Sequence, residues 1–139
     1  MQKLLGENFF SEFELVSLDK IHDAEAALGN LSGLTHVKFL TLSRINFIDA
    51  DLANLGELRD LQSLDLSETK VTDTGLVNLR GFTQLNMLEL SRTKVTDAGL
   101  KHLKGLTKLQ DLWLDGTKVT DAGIKDLEKA LPDCEVFRR

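Results

Sequence analysis

A right-handed α/β solenoid, with a parallel β-sheet on its concave side and short helices on its convex side, is the fold class that three features of the chain predict. The octet Thr93-Lys94-Val95-Thr96-Asp97-Ala98-Gly99-Leu100 recurs nearly unchanged at 69–76 and 117–124, so the repeat length is 24 residues. Self-similarity at a fixed period of this size marks a stacked-repeat architecture. Leu64/Leu66, Leu88/Leu90 and Leu112/Leu114 alternate with polar residues, the period-two pattern of a strand with one buried face. Leu76/Leu79 and Leu100/Leu103 follow at helical spacing. They lie behind a Thr-Asp pair that suits a helix N-terminus and ahead of Arg80-Gly81 and Lys104-Gly105, which suit its end. A helix is about 10 Å wide and neighbouring strands lie about 4.8 Å apart, so the helical side takes the outside of the bend.

Taken in order, residues 1–9 precede any repeat, and Leu4, Leu5, Phe9 and Phe10 supply apolar surface for an N-terminal cap. A degenerate repeat over 10–33 keeps Phe10, Phe13, Val16 and Leu18 at the unit's spacing, as expected for a terminal unit with one neighbour only. The unit 34–57 retains Leu34, Val37, Leu40, Leu42 and Asp49 but departs from the motif at Ile45, Phe47 and Asp51. Units 58–81, 82–105 and 106–129 are regular. In the last of them Glu128-Lys129-Ala130 replaces the helix-ending glycine, so its helix is expected to run on until Pro132 forbids continuation. The segment 130–139 is expected to be a capping strand, with Leu131, Cys134 and Val136 entering the pattern two residues early. We read 1–139 as a single domain whose modified first and last units suit a complete small protein, with one domain of a larger chain as the alternative.

Each regular unit spells L-x-x-L-x-x-L-x-L-x-x-T-x-V-T-D-x-G-L-x-x-L-x-G, which resembles the leucine-rich repeat family, especially bacterial repeats of the T-x-V-T-D-x-G-L kind. The resemblance is strongest from Leu58 onward. It implies a recognition scaffold for a protein partner, without chemistry of its own. Thr69, Thr93 and Thr117 stand where the family usually has an inward asparagine or cysteine. A hydroxyl there is expected to bond a neighbouring unit's backbone, with Ile21 and Ile45 replacing it by apolar packing in the earlier units. Gly75, Gly99 and Gly123 are expected to allow helix and loop to approach closely. Ala27 and Asp51 occupy that place earlier, so positive φ is not required there.

Composition narrows the function further. A formal net charge of −5 disfavours nucleic acid and anionic membranes as partners. No apolar run approaches the roughly 18 residues that span a bilayer, and Met1 to Asn8 lacks a signal-peptide pattern. One cysteine, Cys134, excludes an intramolecular disulfide and fits a reducing, cytoplasmic setting. No cofactor or metal is expected: the chain has no glycine-rich phosphate loop, His-Glu-x-x-His, Gly-x-Ser-x-Gly or Cys-x-x-Cys. His22, His36 and His102 fall at unrelated places in the unit. Cys134 is expected to be a buried apolar filler. Lys70, Lys94 and Lys118 are expected to form a solvated row balanced by Asp73, Asp97 and Asp121.

Alternation decides which side chains face a partner. The first outward column is Leu15, Phe39, Ser63, Met87 and Asp111; the second is Ser17, Thr41, Asp65, Glu89, Trp113 and Glu135. The third is Asp19, Ser43, Ser67, Ser91, Asp115 and Phe137. The candidate partner-binding residues are Trp113, Asp65, Glu89, Asp111, Asp115, Met87 and Phe39. Trp113 is the sole tryptophan and, between Leu112 and Leu114, must point outward. Such residues dominate interface energies; the competing picture is a ring lying flat over Met87 with no partner. Asp65 beside Glu89 is the equipment of a glycosidase or metal site. On an open sheet without histidine, an acidic face for a basic protein is the better assignment, and the chain is not read as an enzyme. The remaining alternative is assembly through terminal strand edges or the phenylalanine-rich start, against an expected monomer or weak homo-oligomer.

Overall fold

The computed structural model describes residues 15–18 and 35–139. The expected cap over 1–9, most of the degenerate repeat, and the placements of Asp19, Ile21, His22 and Ala27 lie outside the described residues.

Six strands, β1 (Leu15–Ser17), β2 (Phe39–Thr41), β3 (Ser63–Asp65), β4 (Met87–Glu89), β5 (Asp111–Trp113) and β6 (Glu135–Phe137), form one parallel sheet in sequence order. Leu40, Leu64, Leu88, Leu112 and Val136 stand opposite one another in register. The 24-residue period is therefore the distance from one strand to the next. The connections carry α1 (Asp49–Ala53), a 3-10 helix (Gly75–Gly81), α2 (Asp97–Leu100) continued by a 3-10 turn (Lys101–Leu103), and α3 (Asp121–Ala130). No described helix is long and apolar enough to cross a membrane.

Leu64, Leu66, Leu88, Leu90, Leu112 and Leu114 are buried, as are Leu76, Leu79, Leu100, Leu103 and Leu127 from the helical side. Burying one such side chain is worth roughly 1.5–3 kcal/mol. A single unit has nothing to bury it against, so stacking supplies the stability. The last helix runs on as expected: the amide of Leu131 donates to the Leu127 carbonyl at 2.9 Å, and Pro132 follows.

Two expectations are corrected. Thr69, Thr93 and Thr117 donate to the carbonyls of Leu66, Leu90 and Leu114 in their own units, at 2.6, 2.7 and 2.7 Å, not to a neighbouring unit. The tight turn brings the carbonyl three residues back within reach first. Ile45 fills the same place with apolar contact. The last strand, moreover, keeps the full period and does not enter two residues early. Cys134 and Leu131 reproduce the turn of Leu109 and Leu106, with amide-to-carbonyl distances of 3.1 and 2.9 Å. The extended α3 delays that turn, and the link from Cys134 to Val136 is one residue shorter than that from Leu109 to Leu112. Val136 thus opposes Leu112 while Glu135 opposes Asp111 and Phe137 opposes Trp113.

A left-handed residue ends the turn after each of β2 to β5: Arg44, Glu68, Arg92 and Gly116 have φ of 63°, 57°, 58° and 70°. For a residue with a Cβ this costs about 1–2 kcal/mol. Backbone bonds to the next unit offset it, with the amides of Arg44, Glu68 and Arg92 donating to the carbonyls of Ser67, Ser91 and Asp115.

Candidate functional site

The inward leucines leave the alternate side chains of each strand on the open face. Register places Leu15, Phe39, Ser63, Met87, Asp111 and Glu135 in one column and Ser17, Thr41, Asp65, Glu89, Trp113 and Phe137 in the next. Ser43, Ser67, Ser91 and Asp115 follow just beyond the strands. Phe39 and Met87 are each 38% exposed and Leu15 63%, so the first column is apolar at one end. At the other end it is acidic. Glu135, which the sequence pattern placed one column over, joins Asp111 there; counting 24 residues on from Asp111 and Trp113 would have found both Glu135 and Phe137.

Asp65 directly opposes Glu89, and each is half-buried. Neither is free to swing. Asp65 Oδ1 accepts from the amide and hydroxyl of Ser67 at 2.9 and 2.7 Å, and Glu89 Oε1 accepts from the Ser91 amide at 2.8 Å. The Ser91 hydroxyl is itself buried with no hydrogen-bond partner among the described residues. Asp115 Oδ1 accepts from the Arg139 amide at 2.6 Å. Four ion pairs of described Arg and Lys side chains lie elsewhere: Arg44 with Glu68 at 3.2 Å, Arg92 with Glu68 at 3.7 Å, Lys104 with Asp126 at 2.7 Å, and Arg138 with Asp121. None of these reaches a concave carboxylate.

Trp113 has an aromatic neighbour on β6. Its ring stacks on Phe137, centroids 5.1 Å apart and planes inclined by 15°. The corrected register is the cause, since it brings Phe137 directly beside Trp113.

No family model and no curated protein matches the sequence. Among solved structures, the chain is similar to internalin C2 of Listeria monocytogenes, with a TM-score of 0.72 at 21% identity over 93% of this chain. The fold is a leucine-rich-repeat solenoid. It is similar also to the leucine-rich-repeat protein LIC12759 of Leptospira interrogans, with a TM-score of 0.53 at 23% identity over 77% of the chain. Actin-binding site 2 of leiomodin-1 gives a TM-score of 0.67 at 19% identity, over 91% of this chain and 83% of that one. The solenoid spans 53% of the internalin C2 chain and 32% of the Leptospira chain.

Elsewhere on the solenoid, no three His, Cys, Asp or Glu side chains among the described residues come together as a metal site. His36 lies 3.8 Å from Asp60, and His102 meets the Arg80 guanidinium at 2.6 Å; the two do not converge. Cys134 is buried, and burial foremost, then the Asp111 and Glu128 charges, push its thiol up to about 11. Lys70, Lys94 and Lys118 are exposed. Asp73 and Asp97 on the same flank accept hydrogen bonds from threonines of the following unit.

Proposed function

We propose that this solenoid is a non-catalytic module that binds a basic protein partner on its concave face, with Trp113 as anchor. Asp65, Glu89, Asp111 and Asp115 supply electrostatic fit, and Met87 and Phe39 supply apolar contact. The observation that carries this is the stacked Trp113–Phe137 pair on an open sheet, ringed by carboxylates that the flanking ion pairs leave unmatched. An aromatic anchor with charged surroundings is the usual make-up of an energetic centre at an interface. Leiomodin-1's actin-binding site, built on the same fold, supports a protein as the class of partner. The acidic balance argues against nucleic acid or an anionic membrane.

We extend the proposal to a bacterial, cytoplasmic setting, on the T-x-V-T-D-x-G-L units and the single buried thiol. We also treat 1–139 as one domain divided at 10, 34, 58, 82, 106 and 130, a monomer or weak homo-oligomer that uses no cofactor. Affinity capture with the native chain and with Trp113→Ala, at low and moderate salt, is the test. Identical captured sets would remove the concave assignment.

A second reading rests on β6, whose outer edge pairs with no described strand and whose Val136 is only partly buried. Open edges invite pairing between copies. Light scattering over a range of concentrations separates it, because assembly through β6 raises the mass with concentration and a monomeric binder does not.

A further inference from the structure

Resting on that concave-face reading, we propose that the partner is recognised through an arginine in an extended segment, its guanidinium laid on the Trp113 ring, with an apolar side chain two residues earlier beside Met87. The stack defines which face of the indole is available. Phe137, on the next strand outward, covers one side of the ring, so the other side looks back toward β4. There Glu89 holds the same column one strand away, and Asp111 precedes Trp113 by two residues on its own strand. A planar cation entering this slot meets an aromatic plane on one side and carboxylates on the others.

Two features select arginine over lysine. A guanidinium stacks flat on an indole and its fork engages carboxylates two at a time, whereas an ammonium is a strongly hydrated point charge. The carboxylates are also set in like-charge pairs, Asp65 opposite Glu89 and Asp111 opposite Glu135. Such cross-strand pairs are unfavourable in a free sheet. The carboxylates of Asp111 and Glu135 accept no hydrogen bond and form no ion pair among the described residues, the Cys134 thiol donating to the Glu135 backbone carbonyl. A multidentate cation relieves this repulsion, which supplies binding without any change of fold.

The apolar contact follows from spacing. Met87, 38% exposed, precedes Glu89 by two residues on β4 and so stands in the first column beside Asp111. For a segment laid parallel to the strands, the side chain two residues before the arginine lies one column back beside Met87, roughly 7 Å from the slot. In an extended peptide the side chains of residues i and i+2 point the same way about 7 Å apart. The partner's signature is therefore apolar-x-Arg.

Trp113 is the only tryptophan, so its fluorescence reports on this slot alone. The probe is an acetylated, amidated pentapeptide Ser-Leu-Ser-Arg-Ser. It is compared at constant ionic strength with versions carrying lysine or citrulline for arginine, or serine for leucine. The arginine peptide is expected to change the emission saturably, with lysine and citrulline at least about tenfold weaker. Glu89→Gln and Asp111→Asn each weaken the arginine peptide and leave the unfolding midpoint near that of the native chain. Equal response to arginine and lysine, no saturable response, or indifference to Glu89→Gln would overturn the proposal. If partner capture depends on Trp113 while arginine and lysine peptides behave alike, this inference fails and the binding reading stands. If capture is indifferent to Trp113, the reading itself fails.

Discussion

The carboxylate of Asp73 is held twice by Thr96, a residue 23 positions further on: Oδ1 accepts from the Thr96 amide at 2.7 Å and Oδ2 from its hydroxyl at 2.5 Å. The same hydroxyl accepts from the Ala98 amide and so caps α2. Asp49 binds Thr72, and Asp97 binds Thr120, in the same way. Thr96-Asp97 thus ties its unit to the one before and the one after, and Thr96 also starts α2.

Replacing Asp73 with alanine removes two charge-assisted hydrogen bonds at a junction between units. The expected loss is about 2–3 kcal/mol, seen as a lower urea midpoint with little change in the slope of the transition. A midpoint within error of the native chain would show that the junction contributes nothing.

Gly99 and Gly105 should respond differently to alanine. A Cβ at Gly99 would lie 2.3 Å from Asp73 Oδ1 and 3.0 Å from Leu76 Cδ1, whereas at Gly105 nothing lies within 4 Å. Gly99→Ala must displace the carboxylate that Thr96 holds, so it is expected to cost about 2 kcal/mol despite the better helix propensity of alanine. Gly105→Ala is expected to be neutral. In an Asp73→Ala background the Gly99 penalty should shrink, which a double-mutant cycle by thermal or urea unfolding measures.

Much of this was legible before any coordinates. The period, the inward leucines and the outward direction of Trp113 follow from alternation, which is a local property. The close approach at Gly75, Gly99 and Gly123 was also legible. What the glycines make room for was not, because the Asp–Thr contact exists only once two units are stacked. The left-handed turn escaped notice because three of its four residues, Arg44, Glu68 and Arg92, carry side chains. The Trp113–Phe137 stack escaped because Cys134 mimics an inward strand position. The length of α3 decides that register, and no local pattern reveals it.

Acid should weaken the junctions in a defined way. Asp97 titrates below its ordinary 3.8, chiefly through the hydrogen bonds from the Thr120 hydroxyl and amide and also through the Arg138 charge. Asp126 is lowered by the hydrogen bond and charge of Lys104. A carboxyl whose folded pKa is depressed contributes stability above its unfolded value, and that stability is lost as pH falls through the folded value. Stability from these groups should therefore be level near neutrality and decline as pH drops below about 4. Thr120→Val removes the largest cause, so the Asp97 carboxyl followed by NMR should titrate closer to its ordinary value; an unchanged midpoint would contradict the assignment.

Cys134 should be unreactive in the folded chain. Its thiol is buried and pushed up to about 11, and the thiolate is the reacting form. At neutral pH a thiol reagent is expected to label it only as fast as the chain opens, with a steep rise in rate across the urea transition. Rapid stoichiometric labelling without denaturant would contradict the buried-filler role.

The central claim is that the concave face, centred on Trp113, is where a protein partner binds, and the dissociation constant of a captured partner for the native chain and for Trp113→Ala tests it most directly. Truncating a residue at the centre of an interface costs roughly 2 kcal/mol or more, so the variant is expected to bind about 30-fold more weakly while keeping its unfolding midpoint. Equal dissociation constants for the two chains would contradict the account.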